Sequence, residues 1–76
     1  MKLWLNIPKK RMDYDQYDSC VVAAETEEAA RATHPSGGTW GNRFWVDSPD
    51  KVTTEYLGEA REGMPAGVVH SSFIEP

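Results

Sequence analysis

The chain has 76 residues and a formal net charge of −4, and 39% of its residues are hydrophobic. This length predicts a single domain over residues 1–76, and this hydrophobic fraction is too high for a disordered chain. The acidic balance disfavours direct binding to nucleic acid, because a protein that binds the phosphate backbone needs clustered cations. The single cysteine excludes an internal disulfide, and no apolar run is long enough to span a membrane, so we expect a cytoplasmic protein.

The N-terminal segment predicts a strand over residues 2–7. Its side chains alternate around Trp4, which indicates a strand with one apolar face. That face consists of Leu3, Leu5 and Ile7. A polar connection follows, with three consecutive basic residues at 9–11 and then aspartates interleaved with tyrosines. Connections of this length tend to be functional or mobile.

The next segment, residues 19–35, predicts a buried strand that leads directly into a helix. The strand covers residues 20–24, where the β-branched residues at its centre favour burial on both faces. Thr26 offers an N-cap hydroxyl, and Glu27 and Glu28 fall in the first turn, where carboxylates favour the helix dipole. Pro35 limits the helix to about two turns, and a helix so short is stable only when it is packed.

The second half of the chain predicts three short strands separated by loops. A glycine-rich loop over residues 34–43 surrounds Trp40. The predicted strands are 44–46, 52–57 and 68–74, with turn residues at 47–50 and a loop at 58–67. The element order β-β-α-β-β-β predicts an α+β fold, a small and mainly antiparallel sheet with one short helix packed on one face.

Residue types that carry chemistry are present, but their surroundings favour structural roles. Cys20 could be a nucleophile with His34 or His70 as its base, yet its apolar run is typical of a buried core cysteine. Three aspartates between residues 13 and 18 resemble the start of a calcium loop that lacks its glycine and its final Glu. We therefore predict no catalytic residue, no metal site and no cofactor.

The segment from residue 13 to residue 28 is the feature that we expect to bind a partner. It carries six carboxylates and two tyrosines with no lysine or arginine among them. Such a run is often only a solvated surface, but acids can also steer a basic partner while tyrosines supply rigid contact area. The predicted contact residues are Asp13, Tyr14, Asp15, Tyr17, Asp18, Glu25, Glu27, Glu28 and Trp40.

Several short stretches resemble those of small proteins from tailed phages and prophages. These stretches are the start Met-Lys-Leu-Trp-Leu, Val-Val-Ala-Ala-Glu-Thr-Glu-Glu-Ala-Ala-Arg, Glu-Tyr-Leu-Gly-Glu-Ala and Gly-Val-Val-His-Ser-Ser-Phe. In size, acidity and lack of reactive groups the chain is similar in kind to anti-CRISPR and other anti-defence inhibitors. The resemblance implies a phage-encoded binder acting in the host cytoplasm, and it transfers no site residue.

These observations lead to one leading hypothesis and two alternatives. The leading hypothesis is a non-enzymatic inhibitor that binds a host protein or ribonucleoprotein complex, such as a CRISPR effector, and blocks DNA binding or nuclease recruitment. The first alternative is a structural or regulatory phage protein that self-associates, as a homodimer through a sheet edge such as residues 68–74. The second is a small thiol hydrolase that uses Cys20.

Overall fold

A computed structural model describes residues 1–38, 40–41 and 44–74, which form one antiparallel sheet, one short α-helix and a single 3₁₀ turn at Pro49–Lys51. The strands are β1 (Lys2–Pro8), β2 (Tyr17–Ala24), β3 (Val52–Glu59) and β4 (Gly67–Phe73), and the helix is α1 (Glu27–Arg31). The sheet has four strands in the order β3-β1-β2-β4. The domain is therefore a small α+β fold, as the sequence predicted.

The hairpin of β1 and β2 forms the centre of the sheet. Its register runs from Lys2 opposite Ala24 to Asn6 opposite Cys20. β3 adds to the outer side of β1 and β4 adds to the outer side of β2. The connection between β3 and β4 therefore crosses from one edge of the sheet to the other, and it does so at the end where β1 begins.

One face of the sheet, which we call the helix face, packs against α1. Trp4, Cys20, Val22 and Ala24 form a buried cluster there with Ala30 of the helix. The Trp4 indole donates a hydrogen bond to the Ala24 carbonyl at 3.0 Å, so its polar atom is satisfied inside the core. Because α1 has five residues, this packing is what stabilises it.

The N-terminus of α1 follows its predicted capping pattern. Thr26 is the N-cap, and its hydroxyl accepts a hydrogen bond from the Ala29 amide at 3.2 Å. The carboxylate of Glu27 pairs with Arg31 one turn later. The helix ends at Arg31, which is earlier than Pro35 alone would require.

The buried side of β1 differs from the predicted apolar face. Trp4 and Asn6 are its buried residues. Leu3, Leu5 and Ile7 lie on the opposite side and retain part of their exposure. Asn6 can be buried because Ala30 and Thr54 satisfy its side-chain amide, a long-range arrangement that alternation in the sequence does not reveal.

The predicted strand at residues 44–46 is wrong, so the described chain has the order β-β-α-β-β. Trp45 and Val46 are neighbours and both are buried. A strand would send consecutive side chains to opposite faces, and it could not bury both against one layer. These two residues instead join Met12 and Val52 in a second apolar cluster. This cluster lies at the end of the sheet where the chain passes from β1 to β2.

Candidate protein-interaction surface

The connection between β1 and β2 ends in an ordered turn that runs into the first two residues of β2. We call residues 13–18 the acidic turn. The Asp15 amide donates to the Ile74 carbonyl at 2.7 Å, and the Ile74 amide donates to the Gln16 carbonyl at 2.8 Å. Within the turn, the Asp13 amide donates to the Gln16 side chain at 2.7 Å. These bonds tie the turn to the end of β4, so its shape is fixed by the fold.

Asp15 takes the unusual backbone conformation that closes this turn. Its φ angle is 61°, the left-handed region that Asn, Asp and Gly tolerate best. The carboxylate of Asp13 accepts a hydrogen bond from the Tyr14 amide at 2.8 Å. Asp13 and Asp15 therefore have a structural role in the turn. Their carboxylate oxygens on the outer side can still contact a partner.

The two tyrosines of the acidic turn have different surroundings. Tyr14 is 65% exposed at the tip, so its ring is available as a rigid contact. Tyr17 is half-buried and packs edge-on against Phe73, with ring centroids 5.0 Å apart. Tyr17 also packs on the second apolar cluster. Of the pair, Tyr14 is the residue that can anchor a partner.

A shallow groove of about 690 Å³ lies beside Tyr14. Its apolar lining residues are Ile7, Pro8, Met12 and Ile74. Its charged lining residues are Lys10, Arg11, Asp13 and Asp18. The groove therefore offers both signs of charge next to an apolar strip, a composition that suits a segment of another protein better than a phosphate backbone.

The predicted acidic segment is divided between the two ends of β2. The acidic turn ends at Asp18 near the start of β2, whereas Glu25, Glu27 and Glu28 follow the strand, and the six strand residues between Asp18 and Glu25 separate the groups by about 23 Å. Glu25 forms an ion pair with the N-terminal amine at 3.3 Å. Glu27 pairs with Arg31. The residues thus form two separate acidic sites, and only the acidic turn has the groove and an exposed tyrosine beside it.

Trp40 has a structural position after the helix. Its indole donates to the Ala32 carbonyl at 2.9 Å, and its ring packs edge-on to His34 with centroids 5.7 Å apart. It is half-buried against the second apolar cluster. These contacts hold the loop that follows α1 onto the sheet. Within the predicted loop over residues 34–43, Thr39, Asn42 and Arg43 lie outside the described residues.

Cys20 lies in the core, as predicted. It is 1% exposed, and burial raises the pKa of its thiol to about 11, although a hydrogen bond with Asn6 lowers it in part. At neutral pH the thiol is therefore protonated. His70 pairs with Val21, the neighbour of Cys20, so the imidazole projects from the face opposite the thiol. This placement does not bring His70 to Cys20 as a base.

Sequence reasoning missed one surface, the side of the sheet opposite α1, which we call the open face. Leu57 and Val69, which are 50% and 46% exposed, lie at register shifts in its outer strands. The sequence feature that could have revealed this face is that β1 is apolar at its odd positions as well as at Trp4. Such a pattern is typical of a strand that is covered on both sides. The paired apolar residues of this face are Leu3, Leu5, Ile7, Val21 and Ala23.

No family model, curated protein or solved structure matches the chain. Among the described residues, no three or more His, Cys, Asp or Glu side chains are grouped in a way that could hold a metal ion. The same residues include no helix with the length and apolar character needed to cross a membrane.

Proposed function

We propose that the chain is a small non-enzymatic inhibitor or adaptor that works by binding a larger protein through the acidic turn. The observation that carries the proposal is the exposed Tyr14 ring at the tip of a turn fixed by backbone bonds to β4, directly beside the groove. A preorganised aromatic contact loses little conformational entropy on binding, and aromatic residues often dominate the energy of an interface.

The charges of the acidic turn indicate the chemistry of the partner. Asp13, Asp15 and Asp18 surround Tyr14, so a basic surface would be attracted during the approach. Lys10 and Arg11, which also line the groove, would then require an acidic or polar group on the partner. A protein with a basic nucleic-acid channel bordered by acidic residues meets both requirements, whereas nucleic acid itself meets only the second.

The resemblance to phage proteins suggests where such a partner would be found. We infer that it is a host defence complex that handles nucleic acid, such as a CRISPR effector. Occupation of its basic channel by the acidic turn would block entry of DNA or recruitment of a nuclease. This mechanism needs shape and charge only, and it uses none of the chain's ionisable groups as an acid, base or nucleophile.

Affinity purification from host lysate with the tagged full-length chain tests this proposal. The test variants are Tyr14→Ala and the double variant Asp13→Asn, Asp18→Asn. The matched control is Glu25→Gln, Glu28→Gln, which removes the same number of charges from the opposite end of β2. We expect the captured partner to be lost with the first two variants and kept with the control, at equal melting temperatures.

Two outcomes would contradict the proposal. One is a captured partner whose binding is equally strong with Tyr14→Ala and with the double Asp variant. The other is that the purified chain turns over a substrate without any partner. Purified partner should also bind a DNA duplex less well when the wild-type chain is added, and the Tyr14→Ala chain should not compete.

A further inference from the structure

The open face has the anatomy of an interface. Its centre is apolar, with Leu3 and Leu5 of β1 beside Val21 of β2. Its outer strands bring polar groups such as Thr53 to the rim. An apolar centre within a polar rim is the usual organisation of protein–protein interfaces. Charged residues make up 26% of the chain, yet among the described residues Glu55 is the only Asp, Glu, Lys or Arg in the paired positions of this face.

Paired residues form rows that run across the sheet from strand to strand, and two of these rows have a pattern that suits contact with a second copy of the chain. One row runs across the sheet from Glu55 through Leu5 and Val21 to His70. Its two ends are a carboxylate and an imidazole, which can donate an N–H to that carboxylate. They lie on the two outermost strands, at equal distances from the midline between β1 and β2.

The next row has the corresponding pattern in side-chain size. It runs from Gly58 through Leu3 and Ala23 to Gly67. A two-fold axis that is parallel to the strands and lies above the midline would exchange the two halves of every row. Leu3 would then lie over the partner copy's equivalent of the small Ala23, and glycine would lie over glycine. Ala23 is only 1% exposed, so Leu3 would make its contact with the side chains that surround Ala23.

The same axis pairs the charged row correctly. Glu55 of one copy would lie over the position of His70 in the other, and this contact would occur twice because the symmetry repeats it. A two-fold axis that is perpendicular to the strands and passes over this row would instead bring the two Glu55 carboxylates together, which is unfavourable. The register therefore favours one of the two ways in which identical sheets can stack.

We propose that the open face is a homodimer interface in which two sheets stack about a two-fold axis parallel to their strands. The four strands cover about 450 Å² in projection, and side chains enlarge the accessible area towards the roughly 800 Å² per partner of a standard interface. Stacking would also give each sheet a covering layer on both sides, as is usual for domains. Because the projected area is below that of a standard interface, we expect a weak dimer, with a Kd on the order of micromolar.

This dimer goes beyond the proposed function, and the two surfaces meet at Ile7, which lies on the open face and also lines the groove. Residues 13–16 of the acidic turn lie beyond the ends of β1 and β2, so Tyr14 would stay accessible in the stacked pair. It also differs from self-association through the edge of β4, in which backbone groups rather than the open face would be covered. The three surfaces can be distinguished by substitution.

Sedimentation equilibrium of the full chain across the micromolar range tests the proposal. Glu55→Lys should weaken the dimer about tenfold, since it changes two symmetric contacts. His70→Glu should weaken it similarly, and the double variant Glu55→Lys, His70→Glu should recover most of the loss. Glu62→Lys makes the same charge change in an exposed loop and should leave the dimer unchanged.

A central substitution provides an independent check. Leu5→Lys places a charge at the middle of the open face, where the dimer would bury it without a partner, so it should abolish association. In the monomer this position is part-exposed, so the chain should still show a cooperative thermal transition. A wild-type chain that is monomeric throughout the micromolar concentration range would overturn the proposal. A dimer that Leu5→Lys leaves intact would also overturn it, because the edge of β4 or another surface would then be responsible for the association.

Discussion

Replacing Asn6 by Ala should destabilise this domain by a measurable and explicable amount. Asn6 is fully buried, and its amide links three elements. The Nδ2 group donates to the Ala30 carbonyl of α1 at 2.9 Å, and Oδ1 accepts from the Thr54 hydroxyl of β3 at 2.7 Å. The substitution removes both bonds and leaves a small void between the helix and the sheet.

The expected loss is about 2–4 kcal/mol. Each hydrogen bond contributes roughly 0.5–1.5 kcal/mol net, and a void the size of an amide adds about 1 kcal/mol more. The Ala30 carbonyl keeps a second bond from the Thr33 amide at 3.1 Å, so it is not left without a donor. A domain of this size has about 4–11 kcal/mol of stability in total, so the loss should lower the melting temperature by roughly 10–30 °C.

Urea denaturation of a double-mutant cycle measures this effect. Thr54→Val alone removes one of the two bonds and should cost about 1 kcal/mol, and the double variant should cost less than the sum of the singles. Thr53→Val is the matched control, because Thr53 is exposed and projects from the opposite face. This account of the buried amide would be refuted if the losses in unfolding free energy of the two single variants added up in the double variant. It would also be refuted if the Asn6→Ala chain had an unfolding free energy within about 0.5 kcal/mol of wild type.

Three further predictions concern local features. Thr26→Ala should cost about 1 kcal/mol by removing the N-cap, whereas Thr26→Ser should be nearly neutral, as thermal denaturation would show. Cys20 should resist iodoacetamide at pH 8 in the folded chain and react in urea, because burial raises its pKa to about 11; rapid labelling under native conditions would contradict its burial. Asp15 has a φ of 61°, so Asp15→Val should lower the unfolding free energy by about 1–2 kcal/mol, whereas Asp15→Gly should not. Equal losses in the two variants would show that the left-handed backbone conformation is not the cause.

The features that depend on neighbours in sequence were predictable. Thr26, the first-turn glutamates and the Glu27–Arg31 pair lie within one or two helical turns, so capping and spacing rules apply directly. The hairpin strands were also predicted, although β2 begins at Tyr17 rather than at residue 20. These elements are set by local backbone preference.

The features that depend on distant contacts were not predictable. Both sides of β1 carry large apolar residues, so only the position of α1 determines that Trp4 and Asn6 are the buried ones. Trp45 and Val46 looked like a strand because apolar runs favour that assignment. The acidic segment looked like one site because its charges are close in sequence, but β2 carries the chain the length of the sheet between its two groups.

The two proposals combine into a final prediction about avidity. A two-fold axis parallel to the strands keeps both acidic turns at the same end of the dimer, so the two exposed Tyr14 rings would lie at that same end. A densely immobilised partner would then be bound by both turns of one dimer, and apparent affinity would rise by a factor of about 10² without a new contact.

Surface plasmon resonance in two orientations separates this effect from direct contact. Leu5→Lys should weaken binding to a densely immobilised partner through loss of the second turn, but it should leave unchanged the binding of soluble partner to sparsely immobilised chain. Tyr14→Ala should weaken binding in both formats, because it removes the contact itself. If Leu5→Lys weakened both formats equally, the open face would be touching the partner, and the roles proposed for the two surfaces would have to be exchanged.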